Sequence, residues 1–155
     1  MPIHKVLSLW SSFSKYKLIK WLFSYLIRFI NPYTGALGAY IDIFEKGHVE
    51  VLLKDKKRNR NHLNSIHAIA LTNLGEFTSG IAVLGALPSN VRGIVTHISV
   101  DFMKKARGNL KAVCICNPPK VKEDTQYVVK ADIFNAEGEL VSQVRVTWEL
   151  GVYNE

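Results

Sequence analysis

Four residues in the middle of the chain have the types and spacing needed for chemistry on a carbonyl group. Asn61, His67 and Ala68 lie within eight residues of one another, and Glu76 follows Ala68 by a further eight. Ser65 is a suitable N-cap for a helix that begins here, which would leave the amides of His67 and Ala68 without helical partners. Free amides at a helix N-terminus stabilise an anionic oxygen, such as the one formed when a nucleophile attacks a carbonyl group.

Glu76 is the only charged residue between Ile66 and Leu87, and Pro88 follows this segment. A helix that is apolar all round is typical of a buried core helix, and burial raises the pKa of a carboxyl group unless donors surround it. Such a carboxylate suits a nucleophile or a general base toward water. The segment is also long enough to span a bilayer, but a charge at mid-span is costly, so we favour the core helix.

The spacing of Ala68 and Glu76 constrains how they can act together. Eight residues of helix correspond to about 12 Å, so one chain cannot bring both groups to the same carbonyl. If both act, the amide of one subunit must meet the carboxylate of another. Two antiparallel helices across a two-fold axis would produce this arrangement twice, which couples the catalytic hypothesis to a homodimer.

The elements that must position these residues begin with a basic N-terminal segment. The pattern predicts an amphipathic helix over 5–30, which Asn31-Pro32 ends. Residues 1–30 hold five cations and no carboxylate, whereas residues 31–155 hold 15 cations and 13 carboxylates. This helix either packs on the domain or lies in the interface of an anionic membrane with Trp10 and Trp21 inserted, and we favour packing.

The composition fits one globular domain, with 155 residues, 48% apolar and 21% charged. Residues 31–155 form the domain, and the N-terminal helix packs on it. Alternating patterns predict six strands, over Gly35–Phe44, His48–Lys54, Gly93–Met103, Leu110–Cys116, Gln126–Phe134 and Leu140–Val152. The predicted class is therefore α+β, with an antiparallel sheet of about six strands wrapped around a long central helix, plus an N-terminal helix.

Other chemistries find little support. Cys114 and Cys116 are the only cysteines and no histidine clusters beside them, so we expect no metal site. Two cysteines in one extended strand do not bridge easily, which favours a reducing cytoplasm. The basic loop 54–60 lacks interleaved aromatic residues, so we expect no nucleic-acid partner. Contact with a membrane surface through the N-terminal helix stays open.

The run that contains Asn61, His67, Ala68 and Glu76 resembles the motif of hotdog-fold acyl-CoA thioesterases, especially the PaaI-like group and relatives of the YiiD C-terminal domain. Their pattern is Asn or Gln, six residues to His, then Gly, then eight residues to Asp or Glu. The resemblance extends to segments 32–39, 100–108 and 134–141 and covers about residues 31–150. Ala68-Ile69 stands where the family usually has two glycines. The change to alanine keeps the backbone amide, but its Cβ atom narrows the path by which a thioester could approach that amide.

The resemblance implies that the protein hydrolyses an acyl-CoA or acyl-carrier-protein thioester as a homodimer or a dimer of dimers, without a separate cofactor. Glu76 would be the catalytic carboxylate and the Ala68 amide would polarise the carbonyl. Asn61 and His67 would hold the substrate carbonyl or the attacking water. Candidate substrate-binding residues, chosen by charge or by position on a strand, are Arg60, Arg92, Thr96, Lys104, Lys105 and Arg107. The alternative is a non-catalytic acyl-CoA or lipid-binding module on the same fold.

Overall fold

The computed structural model describes Trp10 and residues 17–153. Helix α1 (Lys17–Ile30) ends where Asn31-Pro32 predicted, and the remainder of the predicted helix over 5–30, Trp10 excepted, lies outside the described residues. The end of this helix is therefore confirmed by the structure, because α1 stops one residue before Asn31.

A second, short helix, α2 (Pro32–Leu37), follows directly and was not predicted. Asn31 caps it by accepting a hydrogen bond from the Thr34 amide at 3.4 Å, and Pro32 takes the first helical position, where its missing N–H costs nothing. Gly38 ends α2 with a φ of +73°, a conformation that favours glycine. The strand predicted from Gly35 is therefore wrong in its first residues.

Six strands form one fully antiparallel sheet, as predicted. Their bounds are β1 (Tyr40–Glu45), β2 (His48–Leu53), β3 (Val91–Phe102), β4 (Leu110–Ile115), β5 (Thr125–Phe134) and β6 (Leu140–Val152). The strand order is β1-β2-β4-β5-β6-β3, so the last strand in the sheet, β3, pairs only with β6 among the described strands. A one-turn 3-10 helix (Lys57–Asn59) interrupts the loop after β2.

The long helix α3 (Ala68–Ala86) lies across this sheet and contacts all six strands. Leu74, Ala82 and Val83 are fully buried and belong to the same core cluster as valines and isoleucines of the sheet. On length and composition alone α3 would suffice to cross a membrane, but most of its surface is buried inside the fold. The predicted core helix is confirmed, and the sheet wrapped around it is the hotdog architecture that the resemblance implies.

The two edge strands of the sheet differ in length and in exposure. Strand β1 is short, carries a bulge between Ile41 and Ile43, and is covered by α1. Strand β3 is twelve residues long, and its side chains are largely exposed, with Ile94 at 57% and Phe102 at 53%. Long apolar edge strands are rare in monomers because they present unpaired backbone groups to other chains.

Helix α1 packs on β1 through one face. The ring of Phe23 lies 5.0 Å from that of Trp10 and 5.9 Å from that of Phe44. Ser24 is buried, and its hydroxyl accepts a hydrogen bond from the Ile41 amide at 3.0 Å. Lys20 forms an ion pair with Asp42 at 2.9 Å. These contacts join the N-terminal helix to the same core as the sheet.

Candidate functional site

The N-terminus of α3 is capped by His67, not by Ser65 as predicted. His67 Nδ1 accepts the hydrogen bond of the Ile69 amide at 3.1 Å. The His67 amide is not free either, because it donates to the Asn59 carbonyl at 2.8 Å. Ser65 instead lies in the bend that precedes the helix, where its hydroxyl is buried without a partner among the described residues. Tertiary contacts of this loop move the start of the helix two residues along the chain.

Ala68 is the first residue of α3 and is exposed. Its amide makes no hydrogen bond within the part of the chain that the structure describes. A backbone N–H at this position points along the helix axis, where the positive end of the helix dipole favours an anionic oxygen. The predicted donor is thus open to a ligand, whereas the second predicted donor, the amide of His67, is occupied.

Asn61 organises its own loop. Its carboxamide oxygen accepts hydrogen bonds from the amides of Leu63 at 2.9 Å and Ser65 at 3.2 Å. The loop is completed by a bond from the Asn61 amide to the Ser65 carbonyl at 2.8 Å. The oxygen of Asn61 therefore already has partners, and only its NH₂ group is left to face a substrate or a water.

Glu76 lies two turns into α3 with its carboxylate half-buried. No hydrogen bond or ion pair reaches this carboxylate from any residue in the described ranges. Burial accordingly raises the pKa of the Glu76 carboxyl, since desolvation disfavours the charged form and nothing compensates for it. A desolvated carboxylate without a partner is a stronger base than a solvated one, which suits the predicted role.

One stripe of α3 carries Glu76 together with a second polar side chain that has an unpaired atom. Ile69, Asn73, Glu76 and Gly80 follow one another at spacings of three and four residues, so they share a helix face. The Asn73 carboxamide oxygen is buried and unpaired among the described residues. A Cβ atom on Gly80 would lie 3.9 Å from Glu76 Oε1 and 3.5 Å from the ring of Trp148.

A cavity of about 390 Å³ opens beside the N-terminal half of this stripe. It lies between α2, the loop after β2 and α3. Its lining residues are Tyr33, Ala36, Leu37, Arg58, Asn59, Arg60, His67, Ile69, Ala70 and Asn73. The size is that of a small ligand pocket, with an apolar wall and a few polar groups.

The predicted cations fall into two groups. Arg60 lines the cavity and forms an ion pair with Asp55 at 2.7 Å, which lowers the pKa of the Asp55 carboxyl. Arg107 lies beside the same loop, where its Nη2 donates to the Leu63 carbonyl at 3.4 Å. Lys104 pairs with Glu139 at 2.6 Å on the exposed turn after β3. These three belong to the end of the molecule that holds the α3 N-terminus.

Arg92 and Thr96 lie elsewhere. Arg92 is near the start of β3, beside a larger cavity of about 870 Å³ that Val91 and the C-terminal end of α3 help to line. Thr96 lies at the bulge of β3, and its hydroxyl donates to the Thr147 carbonyl at 3.3 Å. The structure does not bring Arg92 to the α3 N-terminus of the same chain.

Three groups near the site are not among the residues predicted from the sequence. Asn73 precedes Glu76 by three residues, so the spacing of polar residues within the apolar helix was a signal that it shares the same face. Trp148 is 4% exposed and its indole N–H is unpaired within the described chain, and Tyr33 enters the cavity from the unpredicted helix α2. Neither of these two positions has a sequence signal, because both depend on how the elements pack.

The sequence profile of the family described as a domain of unknown function, DUF4442, matches residues 19–150. The chain belongs to the DUF4442 family. The match begins inside α1 and ends inside β6, so it includes the whole candidate site. No curated protein matches the sequence.

Solved structures with the fold of this DUF4442 chain include probable thioesterases. The protein APC5556 has a TM-score of 0.83 at 20% identity, covering 97% of this chain and 99% of its own. PA5026 of Pseudomonas aeruginosa, a probable thioesterase, has a TM-score of 0.76 at 19% identity, covering 84% and 93%. The thioesterase HI1161 of Haemophilus influenzae has a TM-score of 0.70 at 19% identity, covering 81% and 86%. At these identities the likeness shows the hotdog fold.

Proposed function

We propose that the protein hydrolyses acyl-CoA or acyl-carrier-protein thioesters at two equivalent sites of a homodimer. The observation that carries this proposal is the Glu76 carboxylate, half-buried on an apolar helix without any partner in the described chain. An unpaired buried carboxylate costs stability, and groups of this kind concentrate at functional sites. The motif spacing supports a place near the PaaI-like and YiiD-related hotdog thioesterases.

The chemistry requires few groups. Glu76 accepts a proton from water as the water oxygen attacks the thioester carbonyl, and the Ala68 amide of the other subunit donates to the resulting oxyanion. Collapse of the intermediate breaks the carbon–sulfur bond, and the proton on Glu76 passes to the departing thiolate. The alternative, direct attack by Glu76, forms a mixed anhydride that water then cleaves. Both routes give a carboxylic acid and a free thiol.

The exposed edge of β3 supports the dimer. Pairing of this strand with its own copy would satisfy the backbone groups that no described strand satisfies and would bury Ile94 and Phe102. A two-fold axis near Thr72, midway between Ala68 and Glu76, would set each carboxylate opposite the amide of the partner helix. The stripe with Asn73 would then face the partner.

The first test is a panel of acyl-CoA substrates, from short chains to long and aromatic ones, with the full chain. We expect hydrolysis of at least one class and a loss of about 10²- to 10⁴-fold in Glu76→Gln. Products should be separated by chromatography, because the partly exposed thiol of Cys116 would itself react with a thiol reagent. The matched control is Glu137→Gln on an exposed turn, which should keep full activity.

The second test asks whether each site combines two subunits. Ala68→Pro replaces the amide hydrogen by a ring carbon and should leave the backbone unchanged, because proline is tolerated at the first helical position and His67 already has the extended conformation, with ψ of 141°, that proline requires of its predecessor. Each variant alone should be inactive. Co-refolded Ala68→Pro and Glu76→Gln chains should recover about a quarter of wild-type activity, because half the dimers carry one intact site. No recovery would place both groups of a site in one chain.

A binding module without turnover is the second candidate. It is favoured by the Ala68 side chain, which narrows access to the amide, and by the Asn61 oxygen, which is occupied by its own loop. Tight binding of an acyl-CoA without hydrolysis across the whole panel would establish this function and refute the enzymatic one.

A further inference from the structure

The outward face of α1 carries a stripe of apolar side chains that stay largely exposed in the described part of the chain. Leu18 is 74% exposed and Trp21 54%, and Leu22, Tyr25 and Leu26 are exposed beside them. Spacings of three and four residues align these side chains along the helix, opposite the face that holds Phe23 and Ser24 against β1. Scattered apolar residues are ordinary on a protein surface, but a contiguous stripe of this kind marks an interaction site.

The residue types in the stripe suit a membrane interface. Trp21 stacks on Tyr25, with ring centroids 5.4 Å apart and an angle of 10° between the planes. Tryptophan and tyrosine are enriched at the headgroup level of membranes, where an apolar ring and a polar group can both be accommodated. Leucine side chains can enter the acyl region below it. A helix that lies in the interface has this combination of aromatic and aliphatic residues on one face.

The charge of the segment indicates the kind of surface. Residues 1–30 hold five cations and no carboxylate. Asp42, the first acidic residue along the sequence, pairs with Lys20. A second copy of this segment would carry the same positive charge and repel the first. An anionic lipid surface is complementary to both the apolar stripe and the positive charge.

The cavity at the α3 N-terminus is lined by a residue that follows α1 closely along the chain. Tyr33, which follows on α2, is 70% exposed and at the same time lines that cavity. Ile69, on the opposite wall, is 56% exposed. Exposed apolar side chains thus also stand at the mouth of this cavity.

We propose that α1 docks the protein on anionic lipid bilayers, with Leu18, Trp21 and Leu22 inserted at the interface. This inference does not depend on the proposed activity. Because the inward face of α1 belongs to the core, the test uses substitutions of the outward face in the full chain instead of a truncation.

The test is co-sedimentation with vesicles made of equal parts phosphatidylcholine and phosphatidylglycerol, against vesicles of phosphatidylcholine alone. We expect binding to the anionic vesicles, weakened by salt, and a loss of about tenfold or more in Leu18→Ser/Leu22→Ser. The matched control, Ile115→Ser/Val128→Ser, removes two equally exposed apolar side chains from the sheet and should bind like wild type.

Tryptophan fluorescence adds a positional readout. Trp10 and Trp148 are buried, so a blue shift on addition of anionic vesicles would report Trp21, and Trp21→Phe should abolish it while binding persists. Equal binding by Leu18→Ser/Leu22→Ser and wild type would overturn the proposal. So would equal binding to the two vesicle types. A loss of oligomer mass in that variant, without vesicle binding by either protein, would show that a second copy covers the face.

Discussion

Helices α1 and α3 are both rich in apolar residues, yet they break the usual pattern of burial in opposite ways. Helix α3 lies inside the sheet and carries one carboxylate, Glu76, where only apolar groups are expected. Helix α1 lies outside the sheet and presents leucines and aromatic rings where polar groups are expected. The first exception costs desolvation energy, and the second leaves apolar area in water.

Both exceptions to the usual burial pattern mark candidate functional sites. Burial of apolar groups and exposure of charged groups stabilise a fold. A buried charge or an exposed apolar stripe therefore points to a ligand, a partner or a reaction. Under the proposed function, the component that α3 lacks is a substrate together with a partner helix. For α1 it is a surface that covers the stripe. Substitutions in each helix should separate their roles, because they affect activity, pH dependence and stability differently.

The largest expected effect concerns the pH dependence of the hydrolysis proposed for the α3 site. Because burial raises the pKa of Glu76, the active carboxylate forms only above the ordinary glutamate range. We expect kcat/KM to rise about tenfold per pH unit on the acid side and to level off above the raised pKa. A profile that is flat from the ordinary glutamate range upward would contradict a desolvated base.

Two glycines of α3 should respond differently to alanine. A Cβ on Gly75 would collide with Val144 on β6, whereas a Cβ on Gly80 meets nothing closer than 3.5 Å. We expect Gly75→Ala to lower the free energy of unfolding by about 1–3 kcal/mol and Gly80→Ala to preserve or raise it. Urea denaturation measures both. Similar losses would mean that the stripe with Glu76 is packed as tightly as the core face.

Ser24→Ala tests whether α1 is part of the fold. The substitution leaves the Ile41 amide buried without its acceptor, which should cost about 1–3 kcal/mol. The control Ser89→Ala changes an exposed serine in the connection after α3 and should be neutral. An equally neutral Ser24→Ala would show that α1 contributes little to the domain. Leu22→Ser on the opposite face should change stability by less than about 0.5 kcal/mol.

The smallest effect is a change in stability caused by Glu76→Gln. A carboxyl whose pKa is raised in the folded state destabilises the fold once it ionises. Wild type should therefore lose stability as the pH rises from the ordinary glutamate pKa to the raised one, and the variant should not. Thermal unfolding across this range should show a difference that grows with pH and then levels off. A difference that shrinks as the pH rises would contradict the burial of an unpaired carboxyl.

Most of the fold could be predicted from the sequence because its elements have strong periodicities. Alternation along β2 and β6, and the apolar run of α3, predict these elements within about two residues of their ends. The start of β1 was wrong because Asn31-Pro32 was interpreted only as the end of one helix. In the structure the same pair also begins the next, with Asn31 as its cap.

The candidate site could be predicted in composition but not in detail. The spacing from Asn61 to Glu76 was visible in the sequence, as was the buried environment of Glu76. The cap was predicted wrongly at Ser65 because Ile66 donates to the Ala106 carbonyl, a contact across 40 residues that holds the chain extended until His67. The unpaired groups of Asn73 and Trp148 depend on which neighbours face them, and a one-dimensional pattern does not contain that.

The cap at His67 has a consequence for the tautomer of this side chain. Because Nδ1 accepts the Ile69 amide, a neutral imidazole must carry its proton on Nε2. His67 therefore presents a hydrogen-bond donor to the solvent side of the loop and has no free lone pair with which to take a proton. In the proposed reaction it can only orient a carbonyl or a water, so that proton transfer falls to Glu76.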